Sequence, residues 1–99
     1  MSELKKEQDR LIVKPTQDIV SSNAEELKAE LRQALDEHAG PLVIDLAEVK
    51  MIDSMGLGVL IATHNSLHKR DLGLEIINVS EEIARLFSAM RLDTHFTIV

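Results

Sequence analysis

The chain has 99 residues, 44% of them hydrophobic and 28% charged, which is the size and balance of one compact domain that can bury a modest core without covalent staples. It contains no cysteine, which excludes disulfides and thiolate chemistry, and no apolar run of membrane-spanning length or basic, apolar leader, so the expected setting is the cytoplasm. Lys and Arg number 11 against 17 Asp and Glu, and the net charge of -6 repels phosphate backbones and anionic lipid; with no Trp or Tyr, and only Phe87 and Phe96 to stack on bases, nucleic acid is not an expected partner.

Taken in chain order, residues 1 to 10 are charged and aperiodic and read as a flexible lead. The branched run Leu11 to Lys14 reads as a strand ended by Pro15, which cannot donate to a central ladder, and Asp18 to Val20 as a short hairpin partner for it. Ser22 and Asn23 offer N-cap oxygens to a helix in which Leu27, Leu31, Ala34 and Leu35 recur at spacings of three and four, and Glu25 or Glu26 could complete a capping box. Gly40 followed by Pro41 ends that helix. Leu42 to Leu46 is an apolar run too short for a helix, hence a strand buried on both faces.

A second helix starts at about Ser54, with Leu57, Leu60, Ile61, His64, Leu67 and His68 on one face until Asp71, Leu72 and Gly73 break the pattern. Leu74 to Val79 is a further buried strand. Ser80 caps a third helix striped by Ile83, Leu86, Phe87 and Met90, and Phe96 to Val99 forms the last strand. The order β-β-α-β-α-β-α-β implies a small α/β domain, a mostly parallel central sheet with helices packed over it by right-handed crossovers.

Asp53 and Ser54 stand in the most apolar part of the chain, where an unpaired buried polar group costs roughly 1 to 3 kcal/mol. They are either the cap of the second helix or a place where chemistry happens. The cap alone would justify both residues. Gly56 and Gly58, however, lie just inside the helix, where each costs about 1 kcal/mol relative to alanine. Glycines there leave the first turn bare, so that a partner can approach the Ser54 hydroxyl.

The run from Leu42 to Ile61, "LVIDLAEVKMIDSMGLGVLI", followed by "LEIINVSEEIARLFSAMRLDTHFTI", resembles the STAS domain of bacterial anti-sigma-factor antagonists, and the likeness covers residues 11–99. Asp53, Gly56, Leu57 and Gly58 match the family's D-S-x-G-L-G motif residue by residue. The resemblance implies that Ser54 is phosphorylated by a partner kinase that is also the anti-sigma factor. It implies that the unphosphorylated protein binds this partner and so regulates transcription indirectly, and that a serine phosphatase resets the switch. ATP then belongs to the kinase, and the chain itself is not an enzyme and needs no cofactor. The implied partner surface comprises Asp53, Ser54, Met55, Gly56, Leu57 and Gly58 with Ser21 and Ser22. This sequence departs from the pattern at Gln17, Asp18, Ile19 and Val20, where many members carry G-E-L-D. It also departs at Met55, where the residue is often small or hydroxylated, and after the last strand, where many relatives continue into a terminal helix. The alternative is a constitutive scaffold subunit, as in sensory or lipid-transport complexes built on STAS domains, with Ser54 only a cap.

Other constellations are weaker. His64 and His68 have the i, i+4 spacing of a metal-binding helix, but Asn65 follows His64 and no third ligand is close in sequence, so they are expected to edge the apolar stripe and no metal is assigned. His38 and His95 lie at element ends. A nucleophilic role for Ser54 lacks the G-x-S-x-G elbow, and "GLG" alone is neither a dinucleotide fingerprint nor a P-loop.

Overall fold

Leu11, Ile12 and Val13 form the heart of a strand, as expected, in a computed structural model that describes all 99 residues. This strand, β2 (Arg10–Pro15), pairs antiparallel with β1 (Ser2–Glu7), Ser2 lying opposite Pro15 and Glu7 opposite Arg10. The flexible lead expected over residues 1 to 10 is thereby corrected. β1 is held by its backbone ladder to β2, which asks little of its own side chains, most of which are exposed. Charged residues suit the outermost strand of a sheet because they discourage a further strand from adding there. The turn at Gln8 and Asp9 has no glycine to announce it, since Gln8 itself takes the left-handed conformation with φ 56°.

The hairpin role expected for Asp18 to Val20 is corrected too. Ile19 is fully buried and makes a single parallel bridge to Ile52.

Helix α1 (Ala24–Glu37) buries Leu27, Leu31, Ala34 and Leu35, the stripe read from their spacing. Asn23 occupies the cap position, but its side chain is turned back: Oδ1 accepts from the Val20 N–H at 3.0 Å and Nδ2 donates to the Asp18 carbonyl at 2.7 Å. Neither a Ser22 or Asn23 side-chain cap nor a capping box therefore forms. At the other end, Arg70 Nη1 donates to the Leu35 carbonyl at 2.7 Å, filling one of the acceptors that a helix C-terminus leaves open. Gly40 is needed for close approach, since a Cβ there would lie 2.2 Å from the Asp9 carbonyl oxygen in the β1–β2 turn.

The chain continues through β3 (Leu42–Asp45), α2 (Ser54–His68), β4 (Leu74–Ile77), α3 (Glu81–Ala89), a 3-10 turn at Leu92–Thr94 and β5 (Thr97–Ile98). Ser80 caps α3 as expected, its hydroxyl accepting from the Ile83 N–H at 3.2 Å. Met90, placed on that helix's apolar stripe by spacing, is instead 53% exposed just beyond its end. Asp71, the first of the three residues expected to break the pattern of α2, is left-handed with φ 57° and takes the chain out of the helix.

The sheet runs β1-β2-β3-β4-β5, with β2 to β5 parallel. Consecutive right-handed crossovers in one direction put all three helices on the same face. Val13, Ile44, Ile76 and Ile98 share one row across the sheet, and the first three are completely buried in the core. The row on the opposite face is Ile12, Val43, Glu75 and Thr97. Arg10 on β2 reaches over β3 to Glu75 on β4 at 3.5 Å, and beneath this strap Val43 is 1% exposed without any helix above it.

Candidate functional site

The candidate site forms where the loop after β2 meets the loop before α2. Asp18 Oδ1 accepts from the backbone N–H groups of Lys50 at 2.8 Å and Met51 at 3.3 Å. The Ile19 N–H donates to the Met51 carbonyl at 3.0 Å, and the Asp53 N–H to the Ile19 carbonyl at 3.2 Å. Four bonds thus lace Asp18 and Ile19 to residues 50–53 and fix where α2 begins.

Asp53 then caps the helix. Its backbone is extended, with φ -96° and ψ -174°, and Oδ1 accepts from the Gly56 N–H at 3.0 Å. Oδ2 accepts from the Ser21 N–H at 2.8 Å. The Gly56 N–H above all holds the Asp53 carboxyl below its usual value; partial burial pulls the other way, and the N–H groups of Ser21 and Met55 reinforce the lowering. Asp53 is therefore a firmly ionised structural acceptor with no spare basicity.

Ser54, the first helical residue, is exposed, and because Asp53 supplies the cap its hydroxyl is not committed to it. The Ser54 N–H has no intrahelical partner. Met55 is 51% exposed beside it, and Met51 on the preceding loop is 59% exposed. Ser21 and Ser22 lie in the exposed turn that Asp53 anchors, so the structure brings Ser21, Ser22, Asp53, Ser54 and Met55 to one surface. Gly58, one turn along α2, is exposed with nothing within 4 Å of where its Cβ would stand.

Two expected surface residues are not there. Gly56 is buried, and a Cβ on it would lie 2.3 Å from the Ile19 carbonyl oxygen and 2.9 Å from Ile52 Cγ2; Leu57 is only 6% exposed. Gly56 is a glycine because α2 must seat directly on the Ile19–Ile52 bridge, a constraint set by loops that periodicity does not reveal. Asp18 and Met51 belong to the site although neither was among the residues of the expected partner surface, Asp18 having been noted as a departure from the family pattern. Asp18 was absorbed into a supposed strand, while an apolar residue in the polar loop ahead of the cap was the signal for Met51.

None of the histidines reaches this surface. His64 and His68 lie near the far end of α2, about 15 Å or more from Ser54 at 1.5 Å per residue. No imidazole is thus within reach of Ser54, and what the surface offers is an exposed hydroxyl at a helix start. His38 Nε2 lies 3.2 Å from the Pro41 carbonyl. No helix is long and apolar enough to cross a membrane.

Residues 2–99 match the family model of the STAS domain. An anti-sigma-B factor antagonist from Staphylococcus epidermidis is 46% identical over 44 residues, covering 44% of this chain and 41% of that protein; the aligned stretch thus spans about two-fifths of the curated relative. Among solved structures, a Thermotoga maritima protein described as an anti-sigma factor antagonist superposes with a TM-score of 0.93 at 23% identity, covering 98% of this chain and 84% of that one. Phosphorylated SpoIIAA, a Bacillus cell fate determinant, gives a TM-score of 0.76 at 13% identity, covering 100% of this chain and 91% of that one. At such identities the two structures speak for the fold, and together with the match from Ser2 to Val99 they show that the chain belongs to the STAS domain family.

Proposed function

We propose that this protein is an anti-sigma-factor antagonist, a non-enzymatic binding module switched by phosphorylation of Ser54. Unphosphorylated, it binds an anti-sigma factor that is also a serine kinase and so frees a sigma factor. The kinase brings the ATP, transfer to Ser54 ends the binding, and a serine phosphatase restores it. The observation that carries this reading is the exposed Ser54 hydroxyl at the first residue of α2, left uncommitted because Asp53 alone caps the helix.

A phosphate on Ser54 adds roughly -1.5 to -2 charges at a helix N-terminus, where free N–H groups and the macrodipole favour an anion, so the fold tolerates it. A partner packed on Ser54, Met55 and Gly58 would instead have to desolvate a dianion beside the ionised Asp53. Met51 and Met55 give this surface flexible thioethers for an adaptable contact, and the open space at Gly58 lets a partner backbone come close.

Calorimetric titration of the wild type, Ser54→Ala, Ser54→Asp and phospho-Ser54 forms against the kinase retained from the native cell tests the reading. Wild type and Ser54→Ala should bind alike, Ser54→Asp more weakly, and phospho-Ser54 weakest, with the Ser54→Asp deficit shrinking in high salt. Equal affinities across the four would make the protein a constitutive scaffold.

A further inference from the structure

Three imidazoles gather at the opposite end of α2 from Ser54. His64 stacks on His68, one turn further along the helix, with ring centroids 5.9 Å apart and planes at 26°. His95, just after the 3-10 turn, lies 5.6 Å from His64 at 60°. Phe96 meets the His64 ring edge-on at 5.6 Å and Phe87 of α3 at 5.8 Å. A cavity of about 210 Å³, bordered by Ile61, His64, Asn65, Leu92, His95 and Phe96, runs along this contact. His64 Nδ1 is buried without a hydrogen-bond partner. No carboxylate lies within 4.0 Å of any histidine nitrogen to compensate a positive charge.

We infer that this cluster is a proton-operated latch, which holds the C-terminal segment Leu92–Val99 against α2 while His64 is neutral and releases it when His64 takes a proton. The titratable groups facing His64 are His68 on its own helix and His95 from the C-terminal segment; the same segment brings the ring of Phe96, which packs in turn on Phe87 of α3. Arg91 and Asp93, the charged residues beside and within the 3-10 turn, are exposed. A proton on His64 would therefore place a cation among aromatic and aliphatic walls, next to two further basic rings.

Burial first, then repulsion from His95 and His68, keeps the docked His64 below its ordinary value of 6.5. Release returns the ring to water, so the released form binds more protons than the docked form. Docking is undiminished above about pH 6.5 and is lost as the pH falls below it, the release equilibrium rising by up to about tenfold per pH unit until the docked ring is itself charged. The backbone contributes little to resist this. β5 pairs with β4 at only two positions, Thr97 opposite Glu75 and Ile98 opposite Ile76.

Hydrogen exchange on the full chain, corrected for the intrinsic pH dependence of exchange, tests the latch. From pH 7.5 to pH 5.5 the amides of residues 96–99 should lose several-fold more protection than those of β2 and β3, and His64→Leu, which cannot be protonated, should abolish that differential loss. His95→Gln, at an exposed position that is safe for folding, should reduce it. Proton NMR titration should show His64 taking its proton at lower pH than in His95→Gln. Unchanged protection of residues 96–99 in the wild type, or an equal loss in both variants, would overturn the proposal.

Discussion

The backbone N–H of Ser21 donates to Asp53 Oδ2 at 2.8 Å across 32 residues of sequence. Since Oδ1 of the same carboxylate accepts from Gly56, one side chain both starts α2 and fixes the turn beside it.

Replacing Asp53 by Asn turns one acceptor into a donor that faces an N–H group. Asp53→Asn should lower the melting temperature by about 4 to 8 °C near neutral pH, the scale of a lost cap in a domain of this size. Because the folded carboxyl lies below its ordinary 3.8, the unfolded chain takes the proton first. The stability from ionised Asp53 is thus present above about pH 3.8 and lost as the pH falls toward the lowered folded value. Urea unfolding of both proteins should show a constant gap from about pH 7 to pH 5 that narrows in acid.

The two motif glycines should part company. Gly56→Ala drives a methyl against the Ile19 carbonyl and should cost about 1 to 3 kcal/mol or more, whereas Gly58→Ala, in open space within a helix, should stabilise by up to about 1 kcal/mol. Chemical denaturation of each variant measures both signs. On the proposed function, Gly58→Leu should fold well and bind the kinase poorly.

Ser54 should be nearly silent in stability. With the cap made by Asp53, Ser54→Ala should shift the melting temperature by no more than about 2 °C, and Ser54→Asp should hold or slightly raise it because an acid suits a helix N-terminus. Differential scanning calorimetry checks this independently of any partner. A large loss would mean that the hydroxyl is structural.

Asp18→Ala removes the acceptor for two loop N–H groups and should destabilise by about 1 to 2 kcal/mol. The loss should be local. Exchange of the Lys50 and Met51 amides should quicken well beyond that of the α1 amides, which have no part in this contact.

The helices were legible because their apolar periods reflect burial on one side, as at Leu27, Leu31 and Leu35 or at Ile83 and Phe87, and the interior strands because they are short continuous apolar runs, as at Leu42, Val43 and Ile44. The caps at Asp53 and Ser80 were legible for a similar local reason. β1 was not. It is an edge strand whose mostly exposed side chains alternate in nothing, and its existence is decided by the partner strand. At the site, the sequence pointed to Ser54 and to the helix start, but the burial of Gly56 depends on Ile19, a residue 37 positions away that the fold alone brings against it. Asn23 makes the same point in small: its position was readable, while its side chain answers to Asp18 and Val20 rather than to the helix.

From β2 onward, each strand lies beside the one that precedes it in the chain. A sheet built in this order never has to open to admit a latecomer, so a nascent chain can lay each new βα unit on the margin left by the last as it leaves the ribosome. The clasp around Asp53 draws its partners from Asp18, Ile19, Ser21 and the first turn of α2, all of which emerge before β4. The surface that carries Ser54 can thus be complete while the far margin of the sheet is still being synthesised.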